Sequence, residues 1–148
     1  MSTGTVHLHR VLRATPEKVF RAFVEADAIG RWLPPHGFTC SVEKLEARQG
    51  GSYRMSFRNF SSGNSHSFGG TYLDFEPGKL LRYNAKFDAP GPAGEMTTTV
   101  ELRAVGCGTD FKVTQSGIPA EIPAEQCNLG WQESLEYLAR LVEPEIPG

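Results

Sequence analysis

Pro123-Ala124-Glu125-Gln126-Cys127-Asn128-Leu129-Gly130-Trp131-Gln132-Glu133-Ser134-Leu135-Glu136-Tyr137-Leu138-Ala139-Arg140-Leu141-Val142 is the one long stretch whose apolar residues keep helical spacing. Cys127, Trp131, Leu135, Leu138 and Val142 share a stripe with Ser134 and Leu141 at its margin, and Gln132, Glu136, Arg140 and Glu143 fall opposite. Ile122-Pro123 marks the start, where an imino nitrogen costs no hydrogen bond, and Glu125 suits the positive end of the helix dipole. Glu143-Pro144 marks the end, and Glu136 with Arg140 forms an i,i+4 pair on the wet side. A helix of this length with one apolar face requires a broad apolar partner.

Working back from it, Phe38 to Ser116 alternates with a period of two, punctuated by glycine and proline clusters at intervals that leave room for strands and not for helices. The alternation predicts strands over Phe38–Leu45, Ser52–Arg58, His66–Phe75, Leu80–Phe87, Glu95–Ala104 and Thr109–Ser116. They are joined at Gly50-Gly51, Ser61 to Ser65, Pro77-Gly78, Ala89 to Gly94, and Gly106-Cys107-Gly108. Tyr53, Met55 and Phe57 oppose Arg54, Ser56 and Arg58, while Leu81, Tyr83, Ala85 and Phe87 oppose Arg82, Asn84 and Lys86. Each strand therefore has one face for a core and one for water. At the front, Val6, Leu8 and Leu12 form the inner set of a further strand, with Arg10 on their side. Thr15-Pro16-Glu17 caps a short helix carrying Val19, Phe20, Phe23 and Val24, and Asp27 is read as the cap of a second, stopped by Pro34-Pro35. The order is strand, two short helices, six strands, long helix. That predicts a single α+β domain over 1–148, a curved antiparallel sheet of about seven strands wrapped around the C-terminal helix.

Composition sets outer limits. A chain of 148 residues with 39% hydrophobic residues can bury its own core, and a net charge of -2 makes no case for a nucleic-acid partner. No window reaches the ~18 apolar residues of a membrane span, and the opening Met1 to Thr5 has neither a basic start nor an apolar run, so a cytoplasmic location is expected. Three cysteines, Cys40, Cys107 and Cys127, fit neither a disulfide framework nor a zinc motif.

Five separated segments carry a resemblance. Thr15 to Phe20 (TPEKVF), Arg31 to Phe38 (RWLPPHGF), Gly50 to Arg54 (GGSYR), Gly70 to Tyr72 (GTY) and Gly130 to Leu135 (GWQESL) together resemble the SRPBCC superfamily, and more narrowly the bacterial single-domain relatives of the C-terminal domain of the heat-shock chaperone ATPase activator. The resemblance runs from about Arg10 to Leu141 and implies the helix-grip fold of lipid-transfer START domains and birch-pollen allergens. It implies no catalytic constellation that transfers residue by residue, since one scaffold there carries carriers, cyclases, hydrolases and binding domains. The activator's additional N-terminal domain has no counterpart in this sequence, which speaks against a co-chaperone role.

The candidate site is a pocket between the long helix and the sheet. Gly130 and Ser134, one turn apart, leave space where larger side chains would fill it; Trp32 and Met55 offer apolar bulk, and Tyr53, Tyr72, Tyr83 and Trp131 combine such bulk with a polar tip. Arg10, a guanidinium on an apolar strand face, is the candidate clamp for an acidic ligand, and Gln115, in step with Phe111 and Val113, is the candidate amide contact. The expected ligand is a hydrophobic or aromatic small molecule; a cyclase or hydrolase pairing Arg10 with a tyrosine is the alternative. A contact with a second copy or a chaperone through Leu129 is the third. His7 and His9 share a face without a third metal ligand, His36 near Cys40 lacks the partners of a catalytic thiol, and Glu133 falls toward the wet face. No phosphate loop, dinucleotide fingerprint or Gly-x-Ser-x-Gly is present, so no cofactor and no metal are expected.

Overall fold

The computed structural model describes residues 3–88 and 94–148. Its elements run β1 (Gly4–Leu12), α1 (Pro16–Val24), α2 (Ala26–Trp32), β2 (Phe38–Leu45), β3 (Ser52–Asn59), β4 (Ser65–Glu76), β5 (Leu80–Phe87), β6 (Met96–Val105), β7 (Gly108–Ile118) and α3 (Ala124–Val142). The seven strands form one sheet in the order β1-β7-β6-β5-β4-β3-β2, each neighbour antiparallel. The meander from β2 to β7 is sequential, and α1 with α2 carries the chain from one sheet edge, β1, to the other, β2. Extra residues at Gly4/Val6, Val42/Lys44 and Tyr72/Asp74 shift the register, and bulges of this kind bend a sheet and increase its twist. The helix-grip arrangement expected from the sequence is the one observed.

Local chemistry explains the boundaries. Thr15 accepts from the Lys18 amide and caps α1, with Pro16 at its first position. Asp27 does not cap α2, contrary to expectation. The helix starts earlier because Glu25, the residue just past α1, is already extended and serves as its cap, leaving Asp27 inside the first turn with its carboxylate on the Ala28 amide. Pro123 likewise stands just outside α3 as its cap, so the helix proper begins at Ala124. The strands β2 and β5 have the predicted ends, β6 is shifted by one residue to start and end later, and the other strands run one or two residues further than predicted. The predicted connection from Ala89 to Gly94 lies, except for Gly94, outside the described residues. Gly70 has a specific role: a Cβ there would sit 1.9 Å from the Asn84 carbonyl oxygen, so only glycine lets β4 and β5 approach this closely.

The core fills the layer between sheet and helices, with Phe111, Val113, Leu135, Leu138, Val19 and Ile118 almost wholly buried. The helix α3 packs close against β1, α1 and α2 and does not lie flat on the middle of the sheet. At the turn into β3, Glu46 accepts from both the amide and the hydroxyl of Ser52, at 3.0 and 2.9 Å. These bonds favour the carboxylate and pull its pKa from 4.5 to about 2, with smaller help from Lys44 and Arg48. A depressed folded-state value means that its stabilisation is present above the ordinary range and is lost as pH falls toward 2. A carbon-detected NMR titration is expected to place the Glu46 midpoint near pH 2, and Ser52→Ala to move it part of the way back, since the amide bond survives. A wild-type midpoint above pH 4 would remove this brace from the fold.

Candidate functional site

Where α3 stands away from the sheet, a cavity of about 480 Å³ remains. That lies within the range of about 300–1,000 Å³ typical of small-molecule sites. Trp32, Tyr53, Met55, Tyr72, Tyr83, Gln115, Gly130, Trp131 and Ser134, nine of the ten residues singled out in the sequence, line it. The helix contributes a continuous strip, Gln126, Cys127, Gly130, Trp131 and Ser134, at i,i+3 and i,i+4 spacing. A Cβ on Gly130 would meet nothing within 4 Å, so the glycine leaves open volume. Ser134 does more than stay small. Its hydroxyl donates to the Leu33 carbonyl at 2.6 Å and ties the helix to the end of α2.

Arg10 is the exception and is corrected here: it is exposed and not part of the lining. It pairs in register with the buried Phe111, but β1 is an edge strand, and a long side chain at an edge reaches water past the flank of the sheet. Neither a carboxylate clamp nor an Arg10–tyrosine acid–base pair exists in the cavity.

The walls sort into two zones. Tyr53, Tyr72 and Tyr83 cluster with ring centroids 5.5 to 6.2 Å apart. Tyr53 donates to the Asn84 carbonyl at 2.7 Å, and burial raises its pKa and that of Tyr72, while burial pushes Tyr83 to about 12. All three stay protonated at neutral pH. Toward one side, half-buried Phe57, Phe68 and Phe87 stack edge-on in series at 5.1 and 5.8 Å, with exposed His66 5.8 Å from Phe87. Their half-exposure places this zone at the rim. Phe57 and Phe87 were visible as inner-face residues but not as a site, and Phe68 was given no face. Thr98, 1% exposed and lining the cavity, was missed, although the alternation Met96, Thr98, Val100, Leu102 points it inward.

Of the other candidates, His36 is engaged by Glu133, through its amide at 3.2 Å and its ring at 3.4 Å, and stacks edge-on against Tyr137. It is not paired with Cys40. Burial raises the Cys40 thiol to about 11, which suits a neutral packing residue and not a nucleophile. Cys127 lines the cavity, where it was expected in the core, and burial raises its pKa too. His7 meets the Thr114 hydroxyl at 3.2 Å, and His9 pairs with Asp110, whose pKa it lowers. No cluster of three metal-ligating side chains occurs among the described residues. Leu129 is 58% exposed on the outer face of α3.

The family profile for Activator of Hsp90 ATPase homolog 1-like proteins matches residues 13–143. A crystal structure of a Chromobacterium violaceum protein is similar at 52% identity with a TM-score of 0.93, covering 95% of this chain and 98% of that one. At 21% identity and a TM-score of 0.79, a Rhodobacter sphaeroides protein shares the fold over 94% of this chain and 95% of its own. The AHSA1-like protein of Aeromonas hydrophila does so at 19% and 0.76, over 95% and 92%. No functionally curated protein matches the chain.

Proposed function

Since the chain belongs to the family of Activator of Hsp90 ATPase homolog 1-like proteins, we propose that it is a binding or carrier protein that holds a hydrophobic or aromatic small molecule between α3 and the sheet. The observation that carries this reading is the cavity of about 480 Å³ whose described lining contains no Asp, Glu, Lys or Arg. A void of that size inside a close-packed domain forfeits dispersion contacts unless something occupies it. Aromatic walls return those contacts to a flat apolar guest. The residues between 88 and 94 are Ala, Pro, Gly, Pro and Ala, so their sequence adds no ionisable side chain to this chemistry. Apart from His66 at the exposed rim, the polar lining is phenols, amides, hydroxyls and a thiol, which orient a ligand well and exchange protons poorly at neutral pH, and this favours holding over transforming.

A screen of sterols, aromatic polyketides and fatty acids by native mass spectrometry and thermal shift tests the proposal. A ligand at 100 times its Kd stabilises the fold by about 2.7 kcal/mol, a rise in Tm of about 5–10 °C for a chain of this size. At least one class is expected to give a one-to-one complex with such a rise. A panel that leaves both mass and Tm unchanged overturns the reading.

A further inference from the structure

One row of side chains crosses the cavity wall. Tyr72, Tyr83, Thr98 and Gln115 are successive register partners on β4, β5, β6 and β7, so all four point to the same face, and Trp131 of α3 meets the row at Gln115. The direction of the hydrogen bonds along it is forced from one end. An indole N–H is a donor only, so Trp131 donates to Gln115 Oε1, at 3.1 Å. The amide is thereby oriented with its Nε2 toward Thr98 Oγ1, to which it donates at 3.2 Å. Thr98 is buried, and Tyr83 is its partner across the strand. The Tyr83 hydroxyl, unlike that of Tyr53, makes no hydrogen bond to a described residue, and the ring lines the cavity.

Resting on the reading of the cavity as a ligand site, we infer that it selects an uncharged ligand whose hydrogen-bond acceptor, a ketone oxygen on an apolar aromatic frame, takes the hydroxyl proton of Tyr83. The same wall disfavours a carboxylate. Burying an anion beside neutral donors, with no Lys or Arg in the described lining and His66 only at the exposed rim, leaves most of its desolvation uncompensated. The rim phenylalanines cover the remaining ring surface, which sets the orientation: oxygen at the tyrosines, hydrocarbon toward Phe57 and Phe87.

Calorimetric titration with three probes of one shape, 2-acetylnaphthalene, 2-ethylnaphthalene and 2-naphthoate, tests this on the wild type and on Tyr83→Phe. The wild type is expected to bind the ketone about five-fold more tightly than the ethyl compound, the size of one neutral hydrogen bond. At pH 7 the carboxylate is expected to bind at least about ten-fold more weakly than the ketone. Tyr83→Phe is expected to erase the ketone preference and leave 2-ethylnaphthalene unchanged, which also shows that the variant is folded. Equal binding of ketone and ethyl compound, a preference that survives in Tyr83→Phe, or a carboxylate bound as tightly as the ketone overturns the inference while leaving the cavity a ligand site. A wild type that takes none of the three overturns it as well, and the wider screen above then decides the broader reading separately.

Discussion

Trp32→Ala is expected to lower the free energy of unfolding by about 3–5 kcal/mol, and Trp32→Phe by about 1–3 kcal/mol. The indole is 1% exposed, with its ring 4.6 Å from that of Phe23 and steeply inclined to it. Its Nε1 donates to the Ala22 carbonyl at 2.7 Å. That carbonyl belongs to the last turn of α1, where helical amides run out, so the indole serves as a cap supplied from the next helix. Alanine removes the ring and the cap together; phenylalanine keeps most of the ring and leaves the carbonyl unpaired. The difference between the two variants therefore separates packing from hydrogen bonding at one position. Urea denaturation checks it, with the midpoint moving and the m-value constant if both states keep their surface areas. A phenylalanine variant as stable as the wild type would mean that Ala22 needs no partner, and an alanine variant within about 1 kcal/mol would mean that the α1–α2 corner is not part of the cooperative core. Because Trp32 also forms cavity wall, both variants enlarge the void, and the site depends on this corner for its shape.

What could be read in the sequence, and what could not, follows from the kind of information that periodicity carries. The spacing of Trp131, Leu135, Leu138 and Val142 states which face of α3 is covered, and the alternation of Leu81, Tyr83, Ala85 and Phe87 states which face of β5 does the covering. Both are angular facts, and both were legible. Depth is not angular. Arg10 lies on the right side of β1 and still reaches water, because β1 proved to be an edge, and strand order is set by pairing between distant segments. The cavity is a matter of distance as well: it exists because α3 packs on β1 and α2 and stands off from the tyrosines, a separation that no single stretch encodes. Gly130 and Ser134 were its local traces. Thr98 was legible in principle but hidden inside Thr97-Thr98-Thr99, three like residues whose alternate facing only the flanking Met96 and Val100 disclose. The polar row needed three strands in register before Gln115 and Tyr83 became cross-strand partners of the same threonine.

Gly130→Leu is expected to cut ligand affinity by more than ten-fold while leaving the fold at least as stable as the wild type. Position 130 sits at the middle of the strip from Gln126 to Ser134 that faces the cavity, and a Cβ there has free space on all sides. Leucine would place four carbons where the guest is proposed to lie, and a ligand can recover that volume only by shifting against Tyr72 and Tyr83 or by displacing the side chain. The fold is expected to gain from the same change. Glycine inside a helix costs about 1 kcal/mol relative to a good helix former, and the new side chain buries apolar area against the aromatic wall. Stability and binding thus move in opposite directions, the signature of volume held open for a guest. Thermal unfolding of the ligand-free variant together with titration of whichever ligand the screen returns measures both. Unchanged affinity would place the guest away from α3, and a marked loss of stability would mean that the space beside Gly130 is taken up by the tyrosines or the Phe57 to Phe87 row closing on the helix, with no room left for a ligand.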